Sequence, residues 1–251
     1  VNINAVVTIP YELYEFFSLW GKEDEKEITA DIEEDISFLM EQGFLTEKKK
    51  ISSIKHYETD TLKDLYMYNM GNVILQVTQN CNLRCEYCVY SGSYINRVHT
   101  NKRMSFETAV KTIDFLAAHS LNCNEVSIGF YGGEPLLNMK LIQETIAYIE
   151  SLHIDNLRFS YNMTTNAMLL GRYMDYLVEK DFTLLISLDG DEYQSGYRVD
   201  KHGKSSFTHV VGNIQKLKDT YPEFFEKNVH FNAVLHDRNS VEGCYKSIHG
   251  L

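Results

Sequence analysis

Hydrophobic positions along the chain fall into two regimes. Over the first fifty residues they recur at helical spacing: Leu13, Phe16, Phe17 and Trp20, then Ile28, Ile32, Ile36, Leu39 and Met40 on one face. The pattern predicts a short strand at 5–9, a helix over 11–20 opened by Pro10, and a second helix stopped by Gly43. Elements this few bury little apolar area alone, so residues 1–50 read as a small α+β accessory element. Residues 51–71 are mostly polar and read as a connector.

From Asn72 the pattern changes. Apolar runs at 73–77, 126–131, 157–163, 183–188 and 229–235 read as strands. Between them, 105–119, 137–152, 168–180 and 206–218 read as helices, the first with Ser105 as N-cap and Glu107 in its first turn. Strand, loop and helix repeated in this way predict a parallel α/β sheet, closed or partly closed as a barrel, over 72–251. Each chemically unusual loop follows a strand. In such folds that end of the sheet is where active sites are built.

Composition narrows the function. The 251 residues, 44% hydrophobic, suffice for one large domain with or without a small one. A formal net charge of -11 disfavours a nucleic-acid partner. No apolar run reaches transmembrane length and no signal peptide precedes the fold, so no membrane role is expected. The chain begins at Val1 rather than Met, as a processed chain or a fragment does. Its five cysteines, three of them within eight positions, are no disulfide framework and place it in a reducing compartment, the cytoplasm.

Those three are Cys81, Cys85 and Cys88. A structural zinc site needs four closed ligands, usually in two separated pairs, whereas Cys123 and Cys244 are distant singles. Three thiolates on one loop suit a cubane iron–sulfur cluster with one iron left open. Ordinary electron-transfer clusters take four cysteines. An open iron is a place for a small molecule to chelate.

Cys-x-x-x-Cys-x-x-Cys after a first strand, with Tyr87 before the last cysteine, resembles the radical S-adenosylmethionine superfamily. The resemblance implies a partial parallel (β/α)6-type barrel and a [4Fe–4S] cluster on Cys81, Cys85 and Cys88. It further implies S-adenosylmethionine on the open iron, cleaved by one electron to a 5′-deoxyadenosyl radical that abstracts hydrogen from substrate. An electron donor such as flavodoxin or ferredoxin is implied with it. Gly132-Gly133-Glu134-Pro135 is by itself a plain turn, but in the family this segment holds the cofactor's amino group. Thr164-Thr165-Asn166-Ala167 resembles the family's Thr-Asn-Gly turn, with Ala167 in the glycine's place; Thr165 or Asn166 as a helix cap is the other reading. Ser187 and Asp189 match positions around cofactor and substrate. Arg198 matches one that reaches the cofactor carboxylate, although an arginine on a loop is also often just solvated. Residues 232–235, Leu235 included, match where the family's backbone meets the adenine.

Ser187-Leu188-Asp189-Gly190, then Arg198, then residues 203–207, resembles members carrying a C-terminal SPASM extension. These include sulfatase-maturating enzymes and peptide maturases. Residues 88–94, with Arg97, His99, Asn101 and Lys102, resemble maturases of ribosomally made cysteine-rich peptides that form thioether bonds. The implied function is hydrogen abstraction within a peptide, with thioether formation as its product. Formylglycine formation in a sulfatase is the alternative, with Asp189 or Asp191 as carboxylate base. A non-catalytic metal-binding or peptide-docking module, holding zinc, is a third. The cysteine-rich SPASM region is absent from the chain as given, which ends at Leu251. The first residues resemble the tail of the winged-helix domain that captures leader peptides; a helical linker is the competing reading.

Overall fold

The computed structural model describes residues 6–22, 27–45, 55–92, 94–154 and 156–251. The chain divides into two compact units, residues 1–59 and 60–251.

In the first unit the helical spacing forms α1 (Tyr11–Leu19) and α2 (Ala30–Glu41), with Leu13, Phe16, Ile32 and Leu39 buried between them. Gly43 closes α2 as expected. At φ +81° it lets Phe44 N–H reach Leu39 O, and its own N–H reach Met40 O, both at 2.9 Å. The strand expected at 5–9 does not form: residues 6–9 carry no regular structure, and residue 5 lies outside the described residues. Val6 is fully exposed and Ile9 packs on the helical cluster, so the run docks at one end and pairs with no strand among the described residues.

The second unit opens with α3 (Leu62–Tyr68), a helix inside the stretch read as connector. Five parallel strands follow in simple order: β1 (Asn72–Thr78), β2 (Glu125–Gly132), β3 (Arg158–Thr165), β4 (Thr183–Ser187) and β5 (Val229–Asn232). The crossovers are α4 (Phe106–Ala118), α5 (Met139–Ser151), α6 (Leu170–Glu179), then α7 (Phe207–Thr220) with α8 (Pro222–Asn228); α9 (Val241–His249) comes last. The expected six-unit barrel is thus represented by five strands among the described residues.

Alternation along the strands gives the sheet two unlike faces. Leu75, Val77, Ile128, Phe130, Met163, Leu184 and Ile186 pack on the helices' Ile113, Leu116, Ile142, Ile146, Leu170, Leu177 and Ile214. The other face carries Ser127, Ser160, Asn162, Thr164, Thr183 and His230 around an open cavity of about 460 Å³. Burying one face fixes the register, because a one-residue slip would turn every core side chain outward. Ser105 caps α4 by accepting from Thr108 N–H at 3.2 Å. Ser105→Ala is expected to lower stability by about 1 kcal/mol, read as a lower urea midpoint at unchanged slope.

Candidate active site

The cysteine loop leaves β1 at Thr78, whose hydroxyl accepts from Asn80 N–H at 3.1 Å and donates to Lys102 O at 3.2 Å. Local hydrogen bonds shape the rest. Leu83 N–H reaches Cys81 Sγ at 3.4 Å, and Cys88 N–H reaches Cys85 O at 2.9 Å. Arg84 turns its guanidinium inward, Nη1 donating to Cys81 O and Leu83 O at 2.6 and 2.7 Å. The loop also runs antiparallel to the segment 197–200. Arg84 N–H donates to Val199 O at 2.6 Å, Glu86 N–H donates to Tyr197 O at 3.0 Å, and Leu83 bridges to Asp200.

The three thiols are free and half-buried, and all line one cavity of about 330 Å³. That is within the usual range for small-molecule sites, about 300–1,000 Å³. Among the described residues no three His, Cys, Asp or Glu side chains converge closely enough for a single metal ion. Three thiols lining one cavity, with no fourth cysteine beside them, fit a polynuclear cluster better than a four-ligand zinc site. Burial pushes Cys81 upward and Cys85 up to about 12, so both stay protonated until a metal displaces the proton. Cys123 faces Met70 O just before β2, at the far end of the sheet from this loop.

Of the expected site residues, Tyr87, Gly132, Gly133, Thr165, Asn166, Ser187 and Arg198 line the same cavity as Cys81, Cys85 and Cys88. Glu134, Pro135, Asp189 and Leu235 do not, and each has a physical reason.

Glu134 is fully buried beneath the loop. Its Oε1 accepts from Leu136 N–H at 3.1 Å and Thr165 Oγ1 at 2.8 Å, and its Oε2 from Asn166 N–H at 2.8 Å. It is a clasp between two cavity loops rather than a wall residue. Asn166 in turn donates to Asn82 Oδ1 at 2.8 Å and lies 3.6 Å from Cys81 Sγ. Pro135 starts a buried 3-10 turn, Pro135–Asn138. Leu235 is 59% exposed; the two-residue period beyond β5 turns Asn232 and Val234 into the cavity instead. Asp189, the expected base, is fully buried, with Tyr87, Arg198 and Val234 all donating to its carboxylate. Asp191 accepts from Gln194 N–H at the surface.

The two glycines serve a closer approach than that of a ligand. A methyl on Gly132 would sit 2.1 Å from Thr78 O, and one on Gly133 would sit 2.3 Å from Asn80 O. They let the end of β2 pack onto the start of the cysteine loop, where Gly133 N–H and Glu134 N–H donate to those same carbonyls at 2.9 Å. The β1–β2 register shifts at this point, between Gln76 and Thr78.

Thr165 and Asn166 do not cap α6, which has no side-chain cap. They form a tight turn: Ala167 N–H reaches Thr165 Oγ1 at 3.0 Å and Met168 N–H reaches Asn166 Oδ1 at 3.0 Å. Ala167 sits at φ +58°, the left-handed region that a glycine there would occupy freely. Ala167→Gly relieves about 1 kcal/mol of strain but loses a buried methyl, about 0.8 kcal/mol, and frees the unfolded chain. A net change within about 1 kcal/mol is therefore expected. Ala167→Val, β-branched in the same conformation, should cost more than about 2 kcal/mol by urea unfolding.

Among the cavity and near-cavity residues, Gln79 and His236 escape the motif reading, whereas His99 belongs to the segment that resembles peptide maturases. Gln79 and His99 line the cavity, and burial together with Arg84 pushes the His99 imidazole below its ordinary range. His236 stacks on Tyr87, with ring centroids 5.9 Å apart. Its one signal in the sequence was a polar residue directly past the last strand.

Residues 75–242 match the Radical SAM superfamily model. The chain is 30% identical over 154 residues to the cysteine-type anaerobic sulfatase-maturating enzyme of Clostridium novyi (strain NT), covering 60% of this chain and 41% of that protein. It is 24% identical over 219 residues to the radical SAM cyclopropyl synthase TigE of Paramaledivibacter caminithermalis, covering 82% and 44%. It matches the structure of native anSMEcpe with bound AdoMet and Cp18Cys peptide with a TM-score of 0.60 at 21% identity, covering 72% and 48%. The chain thus spans less than half the length of each of these proteins. The cysteine loop, its cavity and the match over most of the second unit agree: the chain belongs to the Radical SAM superfamily, enzymes that use a [4Fe–4S] cluster and S-adenosylmethionine.

Proposed function

We propose that this enzyme abstracts a hydrogen from a residue within a peptide and couples a cysteine sulfur to the carbon, the thiol proton passing to solvent and the remaining electron to an iron–sulfur acceptor. Cys81, Cys85 and Cys88 would hold the cluster. Tyr87, the Gly132-Gly133 backbone, Thr165, Asn166, Ser187 and Arg198 would enclose S-adenosylmethionine. The bound pair supplies a hydrogen-abstracting radical once an electron arrives, from a donor such as flavodoxin or ferredoxin. The observation that carries the reading is the shared cavity, lined by the three thiols together with Arg198 and the Gly132-Gly133 turn.

A peptide substrate is supported by the open polar face of the sheet, whose cavity shares Thr164 with the thiol cavity. Its hydroxyl and amide groups can pair with peptide backbone. The peptide bound in anSMEcpe supports it too. Thioether formation rests on the segment from Cys88 to Lys102, which resembles maturases of cysteine-rich peptides. Formylglycine formation is the second reading, favoured by the likeness to a cysteine-type sulfatase-maturating enzyme.

Anaerobic reconstitution with iron and sulfide, followed by reduction with S-adenosylmethionine present, tests both. A brown protein that releases 5′-deoxyadenosine is expected; an intact cluster that releases none would overturn the reading. With a cysteine-rich peptide added, a thioether appears as the loss of two hydrogens and one thiol. An aldehyde with loss of sulfur would select the formylglycine reaction instead.

A further inference from the structure

We propose that Asp189 is a positioning residue, which orients Arg198 in the cavity and ties it to the cysteine loop through Tyr87. The proposal rests on reading the cavity as the S-adenosylmethionine site.

Asp189 has no exposed surface, yet its carboxylate takes four hydrogen bonds. Arg198 Nε and Nη2 donate to Oδ2 and Oδ1, each at 2.8 Å. Tyr87 Oη donates to Oδ2 at 2.6 Å, and Val234 N–H to Oδ1 at 2.9 Å. A carboxylate has about four lone-pair sites, so none is left to take a proton from substrate. What the arrangement does instead is geometric. The two-point pairing fixes the plane of the guanidinium. Nη1 takes no part in it, and Arg198 lines the cavity where Asp189 does not.

Tyr87 lies between two of the cluster cysteines, so its hydroxyl joins that loop to the end of β4 across 102 positions of sequence. Its ring also lies under the guanidinium, 5.6 Å from Arg198 Cζ. The backbone repeats the link. Arg84 and Glu86 donate to Val199 and Tyr197, the residues on either side of Arg198. His236 closes the group. Its Nδ1 accepts from Arg238 N–H at 3.1 Å, which puts the ring proton of the neutral imidazole on Nε2. That nitrogen is buried without a hydrogen-bond partner, 3.8 Å from Asp189 Oδ2. A buried ion pair is weak evidence for stability, since apolar residues of like volume often serve as well. An oriented donor at a cavity wall is what apolar residues cannot supply.

The test uses the reconstituted holoenzyme and measures S-adenosylmethionine binding by equilibrium dialysis, with iron content and the reduced cluster's electron paramagnetic resonance read alongside. Tyr87→Phe and Asp189→Asn are each expected to keep full iron but weaken binding about tenfold, the effect of one lost or misaligned hydrogen bond. Both should also blunt the spectral change that S-adenosylmethionine causes. Combined, they should bind no more weakly than Asp189→Asn alone, because Tyr87 acts through Asp189. If Asp189→Asn fails to fold, Tyr87→Phe is measured beside Arg198→Lys. The proposal requires the loss to vanish in the lysine background; an equal loss there overturns it. Binding within twofold of wild type for Tyr87→Phe, at full iron, also overturns it. A wild type that takes up no S-adenosylmethionine overturns the reading of the cavity, and the proposal with it.

Discussion

Alanine at Gly133 is expected to cost on the order of 4 kcal/mol or more and to strip the protein of its capacity to hold iron. The added methyl would lie 2.3 Å from Asn80 O and 3.1 Å from Cys81 N, both backbone atoms that no rotamer change can move. Ordinary overpacking costs about 1–3 kcal/mol because neighbouring side chains give way; here only the cysteine loop itself can yield. Gly132→Ala should be worse. Its methyl would meet Thr78 O at 2.1 Å, and at φ +143° the backbone is in a region that L residues rarely enter, adding about 1–3 kcal/mol. Gly212→Ala is the control. It lies within α7 with open space around the new methyl, so it should gain about 0.5–1 kcal/mol. Urea midpoints and iron per chain after reconstitution check all three. A Gly133→Ala protein as stable as wild type, with a full complement of iron, would show that the loop is not packed against β2 as described.

Those two glycines also show where the sequence was legible and where it was not. The second unit's strands and major helices follow from periodicity because each element buries one face, and burial writes its period into the chain. The cysteine spacing was legible because three ligands on one loop are a local fact. The glycines were noticed for the right reason, a close approach, and the approach the structure shows is to the backbone of Thr78 and Asn80. Glu134 and Asp189 were placed against the cofactor because motifs name residues without saying which way side chains point. Both instead turn beneath the cavity and hold the residues that line it. The contacts of Glu134 to Thr165 and Asn166, and of Asp189 to Tyr87 and Val234, join segments 30 or more positions apart, and nothing in the local pattern records them. The strand expected at 5–9 failed for the complementary reason. A short apolar run becomes a strand only with a partner, and residues 6–9 have none among the described residues. The helix α9 was hidden by Gly243 near its start, although Ser240 caps it as any serine would, accepting from Gly243 N–H at 3.1 Å.

Glu134 carries the second large effect, and its sign depends on pH. Burial pushes its carboxyl up to about 7 from an ordinary 4.5, against the pull of Asn166 N–H, Thr165 Oγ1 and Leu136 N–H. The folded protein therefore binds a proton that the unfolded chain has released between those values. The stability linked to that proton is fully present below pH 4.5 and is lost as pH rises through 7. A carboxyl displaced from 4.5 to about 7 corresponds to about 3 kcal/mol. Protonation is accommodated because the Thr165 hydroxyl can rotate to accept from Oε1. Glu134→Gln cannot titrate. Wherever its amide nitrogen points, one buried backbone N–H, of Asn166 or of Leu136, loses its acceptor, at about 1–3 kcal/mol. The stability gap between wild type and Glu134→Gln should thus be narrowest above pH 7 and widen toward pH 4.5. Glu134→Ala leaves all three donors unpaired and should cost more than Gln at every pH. Because Asn166 reaches Asn82 and lies beside Cys81, it should also loosen the cluster loop, lowering iron retention as well as cofactor affinity. Urea unfolding of the anaerobically purified proteins from pH 4.5 to 8 gives the gap directly. A gap that stays flat, or that widens toward alkaline pH, would mean that Glu134 is ionised throughout and that its three donors outweigh its burial.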